Sequence, residues 1–370
     1  MRLAQLRLRD FRNYSRLDAH FEPGFHLLLG ANAQGKTNIL EAIYLMATLR
    51  SFRGVGSAQM VRHGEKGYFV GGSVVGQGEH EIKLYWSVRE RNLALDGRPV
   101  RKLTDYLGVL RTVVFCTEDL QLIKGTARAR RRFMDLLLSQ THPTYLPLLQ
   151  RYAHAVRSRN ALLKQAMLDA EALEGFSREL VSAGNEIIRL RRDLLPRLAP
   201  VAQRAYARIA GSGPAKAGVP CGRGAEELRL VYLPSVKNDF AVELAQSRAR
   251  ERSYRSTLIG PHRDDLQLLL DERPAAQFGS EGQKRTLAIS LKVAQAEYLM
   301  ELHGAPPILL IDDIMGELDA SRRAGVLPLL EQAHRARGQV FMTATEANWP
   351  AELGQEAVRW TVTAGKVERD

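Results

Sequence analysis

The chain is poor in cysteine. It has two in 370 residues, Cys116 and Cys221, far apart and neither in a CxxC pair. That speaks against a disulfide framework or a cysteine-rich metal centre and fits a reducing compartment. Long apolar runs are also missing. None approaches the ~18 residues of a membrane span. The opening "MRLAQLRLRDF" alternates leucine with arginine and lacks the apolar core of a secretory signal. The protein is therefore expected to be soluble and cytoplasmic, with no membrane partner. Negative charge is short: 41 Asp and Glu against 53 Lys and Arg leave a formal charge of +12. A basic surplus of this size suits a polyanionic partner. No helix-turn-helix, zinc-finger or aromatic RNA-binding motif is present, so sequence-specific readout is not indicated.

What is there divides into three parts. Strand patterns open the chain: "QLRLRDF" alternates at period two, and "FHLLLG" is a short buried-strand run ending in glycine. "NLALDGRPV" carries an Asp96-Gly97 hairpin signal. From about Pro147 to Pro200 the pattern is helical, and "EALEGFSRE" reads as the turn of an antiparallel helical hairpin. "GSGPAKAGVPCGRG" then reads as a loop. Afterwards strands and helices alternate again. One α/β lobe built from 1–125 and 254–370, with a mostly helical lobe inserted over 126–253, is the expected organisation.

"GANAQGKT" matches G-x-x-x-x-G-K-[ST] between an apolar strand and an amphipathic helix. Backbone N–H groups of such a turn cradle phosphates, and the following helix presents its positive end. Gly30, Ala31, Asn32, Ala33, Gln34, Gly35, Lys36, Thr37 and Asn38 are thus candidate nucleotide contacts. Lys36 would sit at the β/γ-phosphates and the Thr37 hydroxyl on Mg²⁺. "PPILLIDD" is an apolar strand ending in two carboxylates, the Walker B arrangement. Asp312 would hold Mg²⁺, and Asp313 would polarise the attacking water. An aspartate there is shorter than the usual glutamate, so hydrolysis is expected to be slow.

"FGSEGQKRT" puts Ser280, Gly282 and Gln283 at a helix start, a second anion-binding device in a chain that already has one. It resembles the signature motif of ABC-type ATPases, and "GELD", ending in Asp319, resembles their D-loop. In that class two copies close head-to-tail, so these residues would cap a nucleotide held by the partner copy. A rival reading is an ATPase that powers a membrane partner. Another is a nucleotide-switched scaffold that barely turns over. In the transporter class the segment after the last strand usually carries histidine; here it is "FMTATE", with Thr345 or its neighbour in that place.

"LRLRDFRNY", "TEDLQLIKG…RRRFMDLLL", "STLIGPHRDDL", "GSEGQKRTLAISLK" and "LLIDDIMGELD" together resemble the RecF family, SMC-like ABC-type ATPases, over essentially the whole chain. Thr117 and Gly316 depart from its common pattern, as does "KGTARARRRF", which lacks a proline. The resemblance implies an ATPase head with a helical lid, and a weak, DNA-stimulated ATPase that dimerises with ATP and Mg²⁺. The implied ligand is double-stranded and gapped DNA near single-strand/double-strand junctions. The implied partners are RecR, functionally RecO, and RecA, which it helps assemble on single-stranded gaps. The implied roles are replication maintenance and the SOS response. Arg12 and Asn13 would lie near the adenine, and Glu118 where related ATPases sense Mg²⁺ and water. Arg53, Lys124, Arg128, Arg130, Arg131 and Arg132 are the densest candidates for DNA phosphates. His262 and Arg263 are candidates for nucleotide or interface contact.

Overall fold

The computed structural model describes residues 1–76, 78–211, 226–345 and 357–370. Cys221 and nearly all of the expected Gly/Pro-rich loop lie outside the described residues, as does Glu346. In chain order the first third is β1 (Arg2–Phe11), β2 (Tyr14–His20), β3 (Gly24–Leu29), α1 (Lys36–Thr48), β4 (Gly67–Val75), β5 (Glu79–Ser87), β6 (Arg91–Leu95), β7 (Arg98–Pro99) and β8 (Thr112–Phe115). The middle is α2 (Gln121–Lys124), α3 (Ala127–Thr141), α4 (Tyr145–Leu162), α5 (Ala170–Ile209), β9 (Leu228–Leu233), α6 (Phe240–Gln246) and α7 (Arg248–Tyr254). The last third is β10 (Asp265–Leu270), β11 (Arg273–Pro274), α8 (Ala275–Phe278), α9 (Glu281–His303), β12 (Ile308–Asp312), α10 (Ala320–Arg335), β13 (Gln339–Ala344), β14 (Val358–Thr363) and β15 (Lys366–Arg369).

Two compact units result. One comprises Met1–Leu120, Arg204–Ala225 and Arg285–Asp370; the other comprises Gln121–Gln203 and Glu226–Lys284. Relative to the expected division, residues 204–225 go with the first unit, and 121–125 and 254–284 with the second. The side chains give the reason. Arg208 pairs with Glu297 at 2.6 Å and donates to the Gly325 carbonyl at 3.1 Å, all within the first unit. In the second unit β10 pairs with β9 from Asp265↔Leu233 to Leu270↔Leu228.

The first unit holds two sheets. One has the order β15-β14-β3-β13-β12-β8 and is parallel except at β15. Parallel strands are covered on both faces, which is why "LLIDD" and "QVFMTA" read as unbroken apolar runs; every residue of β13 is buried. The carboxyl ends of β3, β12 and β13 lie side by side, where open α/β sheets bind ligands. The other sheet, β2-β1-β4-β5-β6-β7, is antiparallel. Its inward residues Leu6, Leu8, Val70 and Ile82 are fully buried, and its outward face mixes charged side chains such as Arg7, Arg9 and Lys83 with Phe69 and Tyr85. Asp96 and Gly97 turn the β6–β7 hairpin with φ of 53° and 74°, the left-handed pair of a type I′ turn. Helix α1 packs against β4, β8, β12 and β13, so it is apolar on nearly every side.

In the second unit α3, α4 and α5 accompany the sheet β11-β10-β9. The expected hairpin turn at "EALEGFSRE" is a correction. That segment is the first part of α5, and the chain turns instead over 163–169. The Asp169 carboxylate accepts from the Ala172 N–H at 2.9 Å and starts the helix. Gly175 costs a helix about 1 kcal/mol relative to alanine, less than the burial of Leu173 and Leu180 returns. The segment "FAVELAQSRARE" forms two helices, α6 and α7, meeting at Ser247.

Candidate nucleotide-binding site

The turn between β3 and α1 is held open by conformation and by its neighbours. Gly30 and Gly35 have φ of 147° and 118°, which disfavours any side chain. A Cβ on Gly30 would meet the Val362 carbonyl at 2.3 Å, and one on Gly35 would meet Asn13 at 2.7 Å and the Tyr14 hydroxyl at 2.8 Å. The Asn13 amide donates to the Gln34 carbonyl at 2.8 Å, and Tyr14 donates to the Gly35 carbonyl at 3.1 Å. From the other side, Ala364 N–H donates to Gln34 Oε1 at 2.7 Å and Gly365 N–H to the Gln34 carbonyl at 3.1 Å. The loop is therefore braced before any ligand enters.

Lys36 is buried and its ammonium donates to the carbonyls of Gly30 and Ala31, the latter at 2.9 Å. Burial lowers its pKa, and Asp313 and Asp312 oppose that shift. The Thr37 hydroxyl donates to Asp312 Oδ1 at 2.8 Å, and the Thr343 hydroxyl donates to the same oxygen at 2.9 Å. Asp312 is raised by burial, countered by these two hydroxyls and by Arg53. Thr343 also accepts from the Asp313 N–H at 2.9 Å, and Asp313 sits at φ 54°. An aspartate visits that region at small cost, so the strand end can turn and present two successive carboxylates. A hydroxyl and a carboxylate converging behind a phosphate-type loop are hard oxygen donors suited to Mg²⁺. The residues thus fit a magnesium–nucleoside triphosphate.

The cleft in front measures about 520 Å³, and its walls include Arg12, Asn32, Lys36, Arg53 and Asp313. Arg12 forks onto Glu41, Nε at 2.7 Å and Nη2 at 2.8 Å, and its Nη1 donates to the Gln59 carbonyl at 2.9 Å. Glu41 is fully buried on α1 and also accepts from the Ser51 hydroxyl. Arg53 approaches Glu41 at 4.0 Å and donates to Asn38 at 3.2 Å. Glu41 and Thr343 were not among the residues expected at the site. A lone glutamate inside the apolar run "NILEAIY" was the available signal for the first. Glu118 is exposed in a short turn after β8, beside β12, and Thr345 follows β13. Asp119, next to Glu118, is tied to the Cys116 N–H at 2.9 Å and to Lys292 of α9 at 3.8 Å. Asp319 caps α10, accepting from the Arg322 N–H at 2.9 Å.

The remaining expected residues belong to the second unit. Ser280 and Gln283 form a reciprocal capping box at the start of α9. The serine hydroxyl accepts from the Gln283 N–H at 3.2 Å, and Gln283 Oε1 accepts from the Ser280 N–H at 2.6 Å. The Gln283 amide donates to Glu226 at 2.7 Å, and Gly282 lies in the first turn. Lys124 is paired with Glu281. Arg130 forks onto Asp265 at 2.7 and 2.9 Å, and Arg131 donates to the Asp264 carbonyl at 2.7 Å. Arg128 is exposed, and Arg132 is half-buried. His262 is packed between the Tyr152 hydroxyl at 2.6 Å and the Thr257 carbonyl at 3.1 Å, and burial lowers its pKa to about 4. Arg263 donates to the same Thr257 carbonyl at 3.3 Å.

A model of the family described as RecF/RecN/SMC N terminal domain matches residues 2–368. The DNA replication and repair protein RecF of Symbiobacterium thermophilum is 38% identical over 372 residues, covering 95% of each chain. That of Lactococcus lactis subsp. cremoris is 35% identical, covering 100% of this chain and 99% of its own. A solved structure of the recombination mediator protein RecF-ATP in the RecFOR pathway superposes with a TM-score of 0.87 at 30% identity, covering 100% of this chain and 97% of its own. The Smc head domain of Pyrococcus furiosus, at 15% identity and a TM-score of 0.56, shares the fold.

Proposed function

The chain belongs to the RecF/RecN/SMC family and, within it, to the RecF proteins of DNA replication and repair, and from that premise we propose that it is an ATP-dependent DNA-binding protein of recombinational repair. The observation that carries the reading is the convergence of the Thr37 and Thr343 hydroxyls on Asp312 behind a braced phosphate loop. ATP is the ligand, with Lys36 at its terminal phosphates and Mg²⁺ on Thr37 and Asp312. Asp313 orients the attacking water, with Glu118 assisting, and its short side chain keeps turnover slow. Two copies close head-to-tail, so that Ser280, Gly282, Gln283 and Asp319 meet the nucleotide of the partner copy. In this reading the chain has two domains, an ATPase head and a mostly helical lid.

The closed pair binds duplex and gapped DNA near single-strand/double-strand junctions through cations, including Arg128 and Arg132, and acts with RecR and RecO to help RecA assemble on gaps. Replication maintenance and the SOS response follow from that role, in the cytoplasm. Among the described residues no helix is long and apolar enough to cross a membrane. The test is binding to a gapped duplex with ATP, ADP or no nucleotide, with mass followed by light scattering. ATP should produce a dimer that binds DNA, and Lys36→Ala and Ser280→Arg should each lose it. An ATP-induced dimer indifferent to DNA would leave the nucleotide chemistry and remove the partner.

A further inference from the structure

The antiparallel sheet of the first unit has one face in the core and one in solvent, and the solvent face is not simply polar. Cross-strand register aligns Arg16, Arg9, Phe69, Tyr85 and Asn92 in a single row across β2, β1, β4, β5 and β6. With strands about 4.8 Å apart this row is roughly 19 Å long. The row beside it is Asp18, Arg7, Gly71, Lys83 and Ala94. Two aromatic side chains therefore stand on an exposed sheet surface with arginines to one side.

The glycines explain how the rings lie. A Cβ on Gly71 would meet Phe69 Cζ at 2.7 Å, so the Phe69 ring reaches along β4 over Gly71. A Cβ on Gly67 would meet the Tyr85 hydroxyl at 3.2 Å, so the Tyr85 ring leans the opposite way. The rings diverge along the strand and offer two separate flat surfaces. Tyr85 is 39% exposed and Phe69 half-buried. The charges are sorted as well. Arg7 and Lys83 are paired with Glu81, the latter at 2.7 Å. Arg9 and Arg16 are exposed, and among the described residues their guanidinium groups have no hydrogen bond or ion pair.

We propose that this sheet face is a binding platform for single-stranded nucleic acid, with Phe69 and Tyr85 stacking successive bases and Arg9 and Arg16 taking the adjoining phosphates. The chemistry selects the occupant. Unpaired guanidiniums call for a polyanion, and exposed rings on a sheet call for flat apolar groups that alternate with those anions. Only unstacked bases on a phosphodiester backbone supply both, and base–aromatic stacking tolerates any sequence. No linear motif announces the platform, because its residues come from four strands. The inference deepens the DNA reading above and rests on it, by assigning the single-strand side of a junction to named residues.

The test uses the full chain, fluorescein-labelled oligo-dT and a duplex of equal length, each titrated by anisotropy with ATP present. Tyr85→Ala and Phe69→Ala should each weaken oligo-dT binding by roughly five- to a hundredfold, with duplex affinity held within about twofold. Phe69→Leu fills the same space without a stacking face and should weaken oligo-dT to a similar degree, which separates stacking from packing. Tyr85→Trp should keep the affinity and show indole quenching on oligo-dT. Arg9→Gln with Arg16→Gln should reduce the slope of log affinity against log salt by about 1.4, two single-strand phosphates' worth. Wild-type oligo-dT affinity in all the aromatic variants would overturn the platform, whether or not the arginine variant weakens. So would a wild type that binds duplex but not oligo-dT. Loss of both ligands in the wild type would instead remove the DNA reading itself.

Discussion

The indole N–H of Trp360 on β14 donates to His26 Nδ1 on β3 at 3.1 Å. The other imidazole nitrogen donates to the Glu22 carbonyl at 2.8 Å, so the ring is neutral with its proton on Nε2. Burial pushes the His26 pKa down to about 4, with Arg369 adding to the shift and the Glu22 carbonyl and charge opposing it. The folded state therefore binds fewer protons here than the unfolded chain, whose histidine titrates near 6.5. Stability from this site is complete above about pH 6.5 and is lost as the pH falls toward 4. The full swing is roughly 3 kcal/mol. His262 contributes with the same sign in the second unit. Urea unfolding followed by indole fluorescence across this range should show His26→Asn losing part of the pH slope. An unchanged slope would mean that the imidazole is not buried as a neutral ring.

The same strand pair sets the cost of changing the phosphate loop. Gly30 lies against the Val362 carbonyl of β14, and Gly35 lies against Asn13 and Tyr14, both at positive φ. Alanine at either position combines a backbone penalty of about 1–3 kcal/mol with a steric shift of the loop. Gly35→Ala and Gly30→Ala should fold but lose nucleotide affinity by more than tenfold in calorimetric titration. Gly24→Ala is the control. It also has a positive φ, of 110°, but nothing lies within 4 Å of the added carbon. It should lose stability without losing nucleotide.

Thr343 ties down both aspartates at once, donating to Asp312 Oδ1 and accepting from the Asp313 backbone N–H. Thr343→Val keeps the shape and removes both bonds, leaving a buried carboxylate with one donor fewer. A hydrogen bond to a charged group is worth about 1.5–3 kcal/mol. Magnesium-dependent ATP affinity should fall about tenfold or more, and Thr343→Ser should restore most of it. Equal affinity in Thr343→Val and wild type would remove this threonine from the site.

Glu41 gathers Arg12, Ser51 and Arg53 around one buried carboxylate. Removing it leaves Arg12, whose side chain is only 17% exposed, without its counter-charge. Glu41→Ala should destabilise the protein by about 3–5 kcal/mol, measured by urea unfolding. Glu41→Gln should cost less and still lower ATP affinity, because a neutral amide cannot accept the guanidinium fork with two oxygens. ATP affinity unchanged in Glu41→Gln would show that Arg12 keeps its place without the charge.

How much of this was legible in the sequence depends on how local each contact is. The phosphate loop, the Asp312–Asp313 strand end and the Ser280–Gln283 helix start each need only a few consecutive residues, and each falls at the element boundary its pattern indicates. Thr343 meets Asp312 only because β13 pairs with β12 in the register Asp312↔Thr343. The brace on Gln34 likewise depends on Asn13 and on the β14–β15 turn, about 20 and 330 residues away. No spacing rule reaches that far. The misplaced turn in the helical lobe has a different origin. The segment "EALEGFSRE" reads as a turn, but the burial of Leu173 and Leu180 on either side of Gly175 decides for helix. The paired state of Arg130 and Arg131 was also hidden, since their partners Asp265 and Asp264 lie some 130 residues downstream.

In the second unit Arg159 and Glu251 face each other at 2.8 Å with side chains 0% and 1% exposed. Such a pair repays its desolvation only when the remaining donors and acceptors are filled. They are: Arg159 also donates to the Ser177 and Thr257 hydroxyls at 3.0 and 2.7 Å, and Glu251 accepts from the Leu258 N–H at 2.9 Å. Arg159→Met alone strands a buried carboxylate and should cost about 3–5 kcal/mol. Arg159→Met with Glu251→Leu removes both charges and should recover most of that loss. A deficit of about 1–3 kcal/mol should remain, because the Leu258 N–H then has lost its acceptor. Urea unfolding of the two variants distinguishes the outcomes. If the double variant is as unstable as the single one, the site needs the ion pair for its shape and not merely for charge balance.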